Sequence, residues 1–197
     1  MHTFVYLHGF NSAFNHESDK VQLLQNLGHT LGITYDTFLG YEEIRGSLKS
    51  RVGYLDNPVF VGTSLGGYWA AKMGEELFAP SVIINPCWDP HSALKKYVGI
   101  PQTNYVTGEK DILSPTVPAS YVYKHLSGKR NVYLNPLVLL DEGDEVISSK
   151  ETAKQLRGYP MISFPGGNHR FVHMEEALPR ITEYLNHCAL AGITNEV

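Results

Sequence analysis

A chain of 197 residues with 43% hydrophobic content can bury a substantial core and predicts one globular domain over residues 1–197. Its formal charge of −4 comes with scattered basic residues, Lys95-Lys96 and Lys129-Arg130 being only pairs, which argues against a nucleic-acid partner. Two cysteines, Cys87 and Cys188, make no disulfide framework; they read as small buried apolar residues of a reducing compartment.

The first residues lack the basic region and cleavage site of a secretory leader, and no apolar run approaches the roughly 18–20 residues of a membrane span. A cytoplasmic location is therefore expected. Residues 4–7 predict a strand with no polar face, as in a parallel sheet covered on both sides. The loop His8-Gly9-Phe10-Asn11-Ser12 follows. A helix is predicted over 17–27, with Val21, Leu24 and Leu27 on one face and Gly28 as its stop. Residues 33–38 predict a second strand, and 42–52 a short helix.

Pro58-Val59-Phe60-Val61 then reads as a buried strand, and Leu65, Trp69, Met73 and Leu77 recur four apart as one face of a helix. Between them stands Gly62-Thr63-Ser64-Leu65-Gly66, the G-x-S-x-G pattern of a nucleophile elbow. Roughly one random chain in fifteen of this length would show the five-residue match, taking glycine and serine at about 7% each. Its place between strand and helix is what gives it weight. The serine falls at a helix N-terminus, where free N–H groups favour developing negative charge.

Residues 81–86 predict another buried strand. From 87 to 130 the periodicity weakens, interrupted by Pro90, Pro101, Pro115 and Pro118, and this stretch is read as an insertion over one rim of the site, with short helices at 92–97 and 117–126. Residues 132–140 predict a strand, Ser148 caps a helix to about 157 with Glu151 as its capping-box partner, 161–164 predict the last strand, and 171–190 a closing helix kinked or broken at Pro179. The alternation implies a three-layer α/β/α sandwich with a mostly parallel sheet and right-handed crossovers.

In such a sheet ligands bind at the carboxyl ends of the strands, where His8, Ser64, Asp144 and His169 all fall. A serine hydroxyl needs an imidazole to take its proton, and the imidazole needs a carboxylate to fix its tautomer. Ser64, Asp144 and His169 occur in the order that such folds use, and His169 follows the tight turn Gly166-Gly167-Asn168. Asp144 is preferred as the acid because a clear strand precedes it; Asp111, in the loop 108–115, and Asp141 or Glu142 are the alternatives. The backbone N–H groups of Phe10 and Leu65 are the expected oxyanion donors. Tyr68, Phe171 and Asn11 are candidate pocket residues, with Trp69 assigned to the core and His8 to loop support. No metal-ligand spacing and no cofactor motif is present, so neither is expected.

These pieces resemble the small YqiA/YcfP-type esterases of the α/β-hydrolase superfamily. The matching stretches are Tyr6-Leu7-His8-Gly9-Phe10-Asn11-Ser12, Gly62-Thr63-Ser64-Leu65-Gly66-Gly67-Tyr68, Gly143-Asp144-Glu145-Val146, Gly166-Gly167-Asn168-His169, and the segment from Asn85-Pro86 to Tyr97-Val98-Gly99. The resemblance implies a compact α/β-hydrolase fold, a serine esterase acting on simple acyl esters or thioesters, and Asp144 rather than Asp111 as the acid. An acyl-CoA thioesterase would share the triad and add basic residues at the mouth, for which Lys95, Lys96, Lys129 and Arg130 are candidates. A ligand-binding module retaining the fold is the non-enzyme alternative, against which the complete triad argues.

Overall fold

The computed structural model describes residues 2–124 and 134–191. The chain lays down β1 (His2–Leu7), α1 (Asp19–Gln25), β2 (Gly28–Ile33), α2 (Tyr41–Val52), β3 (Pro58–Thr63), α3 (Leu65–Glu76) and β4 (Ser81–Ile84). It then leaves the sheet through α4 (Pro90–Leu94), a 3-10 turn at Lys95–Tyr97, an antiparallel hairpin of β5 (Pro101–Thr103) and β6 (Lys110–Ile112), and α5 (Thr116–Ser120). It returns with β7 (Leu137–Asp141), α6 (Ser149–Gln155), β8 (Met161–Phe164) and α7 (Met174–Leu190).

The main sheet has the order β2-β1-β3-β4-β7-β8, and every pairing in it is parallel. Its strands read as unbroken apolar runs because both faces are covered. In β1, Val5 and Leu7 enter one core with Leu48 of α2, Trp69 of α3 and Leu156, while Phe4 and Tyr6 enter the other with Leu24 of α1 and Ile181 of α7. The alternation of two thus carries apolar side chains to both layers. This is the expected α/β/α sandwich, with the sheet wholly parallel.

Several boundaries differ from expectation. The second strand spans Gly28–Ile33, not 33–38, because register with β1 pairs His2 with Gly28 and Leu7 with Ile33. Gly28 opens this strand instead of ending α1, and a Cβ there would lie 2.5 Å from His2 O. Residues 34–38 run past the carboxyl edge of the sheet. The closing helix starts at Met174 because Phe171 takes φ +64°, and it continues through Pro179. Ser148 Oγ does accept the Glu151 N–H at 3.3 Å, but the Glu151 carboxylate turns to Lys154 at 2.7 Å. The helix expected at 117–126 is the short α5, and β7 begins at Leu137. Residues 125–126 and 132–133 of those expectations, with Lys129 and Arg130, lie outside the described residues.

The sheet order reverses between β1 and β3. Chain leaves these two strands toward opposite layers, and the crevice above their carboxyl ends is the standard ligand position of an open parallel sheet. Two devices close the crevice floor. At Gly66 a Cβ would stand 2.0 Å from Leu7 O, and at Gly62 it would stand 2.0 Å from Gly66 O, so strand, turn and helix touch backbone to backbone. Beside them, the buried His8 ring stacks on Tyr35 at 4.4 Å, its Nε2 accepts the Tyr35 N–H at 3.1 Å, and Tyr35 OH donates to His8 O at 2.6 Å. With Nε2 accepting, the ring proton sits on Nδ1 and is donated to Gly9 O at 2.9 Å. Burial pushes the His8 pKa down to about 4.

Gly66→Ala should cost roughly 3 kcal/mol or more of stability by overpacking against the fixed Leu7 carbonyl, read as a lower midpoint in urea denaturation. The depressed His8 value means that the unfolded chain binds the proton more tightly. Its contribution to stability is therefore complete above about pH 6.5 and is lost as pH falls toward 4, a change of about 3 kcal/mol. In His8→Gln, denaturation midpoints measured between pH 7 and pH 4 should fall less steeply than in the parent.

Candidate active site

Ser64 stands at the corner between β3 and α3 with φ +59° and ψ −124°, a backbone conformation that side-chain-bearing residues rarely adopt. The surroundings over-determine it. Ser64 N–H donates to Ile84 O at 3.0 Å, and Ser64 O accepts from Gly67 N–H and Cys87 N–H, both at 2.9 Å. A Cβ on Gly9 would lie 3.3 Å from Ser64 Cβ, so the loop after β1 rests directly on the serine. Leu65 begins α3, and neither its N–H nor that of Phe10 has a partner among the described residues. The Phe10 ring is held between Phe38 and Tyr97, each 5.1 Å away.

Across the crevice, His169 Nδ1 meets Asp144 Oδ2 at 2.8 Å. Asp144 Oδ1 accepts the N–H groups of Val146 at 2.8 Å and Ile147 at 2.9 Å, and its side chain is only 1% exposed. These bonds occupy Oδ1 and leave Oδ2 for the imidazole, whose ring proton then sits on Nδ1 and leaves Nε2 free. The Glu145 carboxylate caps the loop by accepting His169 N–H at 3.0 Å, and N–H groups of Glu145 itself and His169 hold its pKa below the usual range.

The loop bearing His169 hangs on a second carboxylate. Asp141, wholly buried at the end of β7, accepts Asn168 N–H and Val172 N–H through Oδ2 at 3.0 Å each, and meets His173 Nδ1 through Oδ1 at 2.7 Å. Asn85, at φ +41° after β4, accepts Asp141 N–H at 2.8 Å and donates to Asn168 O at 3.0 Å and His169 O at 3.3 Å. A Cβ on Gly167 would stand 2.0 Å from Asp141 Oδ2. Asp141 is thus the floor of the histidine loop and is engaged by His173, not His169. Asp141 was an alternative for the acid and instead supports the loop, while Asn85 and His173 were not among the residues expected at the site. A lone aspartate ending an otherwise apolar buried strand was the available signal for Asp141.

Ser64 and His169 line one open cavity of about 620 Å³, together with Phe10, Leu65 and the buried Cys87, whose thiol pKa burial pushes up to about 12. No hydrogen bond joins Ser64 Oγ to His169 among the described residues. Asp111 stands elsewhere: exposed on β6, it accepts Ile112 N–H at 2.7 Å and borders a neighbouring cavity. The three expected pocket residues also lie outside the Ser64 cavity. Asn11 borders that neighbouring cavity and ties the β1 loop to Thr103 O at 2.8 Å. Tyr68 is buried in α3 against Trp69 and Tyr121 and donates to Lys124 O. Phe171 packs on Phe164 beneath the histidine loop. In their place Tyr97, Tyr105 and Val106 supply apolar wall. Among the described residues no group of three metal-ligating side chains converges, and no helix is long and apolar enough to cross a membrane.

The fold is that of α/β hydrolases. Superposition on Est1E from Butyrivibrio proteoclasticus gives a TM-score of 0.64 at 15% identity, covering 95% of this chain and 88% of the other. A monoacylglycerol lipase from Paleococcus ferrophilus gives 0.64 at 17% identity, with 94% of each chain covered. At the sequence level, UPF0227 protein Shewmr4_1727 of Shewanella sp. (strain MR-4) is 27% identical over 186 residues, spanning 91% of this chain and 97% of the relative. UPF0227 protein YcfP of Escherichia coli O9:H4 (strain HS) is 27% identical over 189 residues, with 91% and 97% covered. The pattern of UPF0227, described as an uncharacterised protein family, matches residues 3–186, and the chain belongs to that family.

Proposed function

We propose that the protein is a serine hydrolase that cleaves small acyl esters through an acyl-enzyme. One observation carries the reading: a strained serine on a strand-to-helix corner shares a cavity with an imidazole whose other nitrogen is bound to a buried carboxylate. In this reading Ser64 Oγ attacks the ester carbonyl while His169 Nε2 takes its proton. Asp144 holds the imidazole in the required tautomer and stabilises its charged form. The tetrahedral oxyanion is received by the N–H groups of Phe10 and Leu65, both without competing partners among the described residues. Collapse expels the alcohol with the proton from His169. Water then enters by the same base, and the acid is released from Ser64.

The separation of Ser64 Oγ from His169 fits a resting state, since catalytic hydrogen bonds commonly tighten only when substrate is bound. The esterase and lipase described above share only the fold, so they support the reaction class and not a substrate. The buried Cys87 is a poor rival nucleophile, because a thiol held near pKa 12 carries almost no thiolate at neutral pH.

Ser64→Ala should abolish both turnover of 4-nitrophenyl butyrate and labelling by a fluorophosphonate while the far-UV dichroism is unchanged; undiminished turnover would remove Ser64 from the mechanism. Asp144→Asn should lower kcat by roughly 10⁴, the size expected when the imidazole takes the wrong tautomer. Asp111→Asn, measured in the same assay, should stay within about twofold of the parent.

A further inference from the structure

The Ser64 cavity holds charge for which the ester chemistry has no use. Lys20, on α1, sends Nζ to Thr63 Oγ1 at 3.2 Å and Arg170 O at 2.6 Å, the residues immediately before Ser64 and after His169. Both partners are neutral oxygens, and Lys20 meets no carboxylate within ion-pair distance among the described residues. An ammonium has three protons, so one donor is unspent. Lys96 and Arg170 line the same cavity, again without an ion pair among the described residues, and Lys96 lies 5.1 Å from the Tyr97 ring centroid. The lining anion is Glu145, whose carboxylate is committed to His169 N–H. Three cations against one anion leave an excess of two positive charges, in a chain whose formal charge is −4. Lys20 is only half-buried, so its remaining proton faces the cavity and is open to a bound anion.

We propose that the cavity selects an ester carrying a second, anionic group, a carboxylate or a phosphate, bound by Lys20, Lys96 and Arg170 while the ester carbonyl lies over Ser64. This rests on the serine-hydrolase reading and adds the substrate class to it. The anion completes the hydrogen bonding of Lys20 at the inner wall, and the two rim cations draw it in. Lys20 has a further positioning role, since one ammonium joins the serine corner to the histidine loop.

Two matched pairs test this. Monoethyl glutarate against diethyl glutarate places a carboxylate on the acyl side; 1-butyrylglycerol 3-phosphate against 1-butyrylglycerol places a phosphate on the alcohol side. In at least one pair, kcat/KM for the anion should exceed that of its neutral partner at least tenfold at low salt, and the pair that responds identifies the anion's source. That preference should shrink at least fivefold in 0.5 M NaCl and in the double variant Lys96→Gln/Arg170→Gln. Lys20→Gln should slow both members by loosening the bridge but slow the anion at least fivefold more; Lys20→Arg should restore the difference. Calorimetric binding to Ser64→Ala reads the preference without turnover, the anion being at least tenfold tighter. Equal or weaker binding of both anions, or a preference indifferent to salt and to all three cations, overturns the proposal. Anion-selective binding by a protein that cleaves none of the four esters would instead overturn only the hydrolase reading.

Discussion

The structure depends on a backbone approach that no side chain could survive. At the end of β3 the chain turns into α3 so tightly that Gly62 faces Gly66 O, while Gly66 faces the Leu7 carbonyl of the neighbouring strand. Only residues without Cβ permit this. The turn forces Ser64 into a conformation that costs of order 1–3 kcal/mol. That strain persists because β4, through Ile84 O, and the following loop, through Cys87 N–H, hold both sides of the serine. The parallel sheet supplies the rest: its reversal between β1 and β3 opens the one edge on which loops from both layers can meet.

The facing wall is built by a different principle. The loop after β8 carries His169; Phe171 anchors it in the core against Phe164, and polar groups buried beneath it hold its backbone. Asp141 and Asn85 together receive or donate to the backbone of Asn168, His169 and Val172. Asp144 then meets the imidazole from the adjoining loop. Two aspartates three residues apart thus divide the labour, one holding the loop and one holding the ring. Each carboxylate accepts from three partners, which offsets the cost of burying it.

Legibility in the sequence followed how local the determinants are. The β3–Ser64–α3 unit is a continuous stretch with its own glycines and apolar rows, and its boundaries match the expected ones closely. The edge strand β2 was misplaced because Gly28–Ile33 is mostly half-buried and mixed in polarity, so no periodicity marks it; pairing with β1 decides where it lies. The pocket was the poorest reading. Tyr68 and Phe171 are apolar neighbours of the candidate triad in sequence, yet the helix and loop geometry turn both into the core. Tyr97, Tyr105 and Val106, from the proline-broken stretch, take the wall instead. Nothing local in the sequence marks Lys20, because its partners Thr63 and Arg170 are 43 and 150 residues away.

Asn11 carries a consequence of its own. Its amide grips Thr103 O at 2.8 Å, and its carbonyl receives Tyr105 N–H at 3.3 Å, so the β5–β6 hairpin is fastened to the residue next to Phe10. The hairpin loop that lines the entrance through Tyr105 and Val106 is therefore tied directly to the strand-end loop that carries the Phe10 amide. On the serine-hydrolase reading, lengthening or retuning that hairpin to admit a bulkier guest would displace the Phe10 amide as well, so fit and rate would not be separately adjustable from that side.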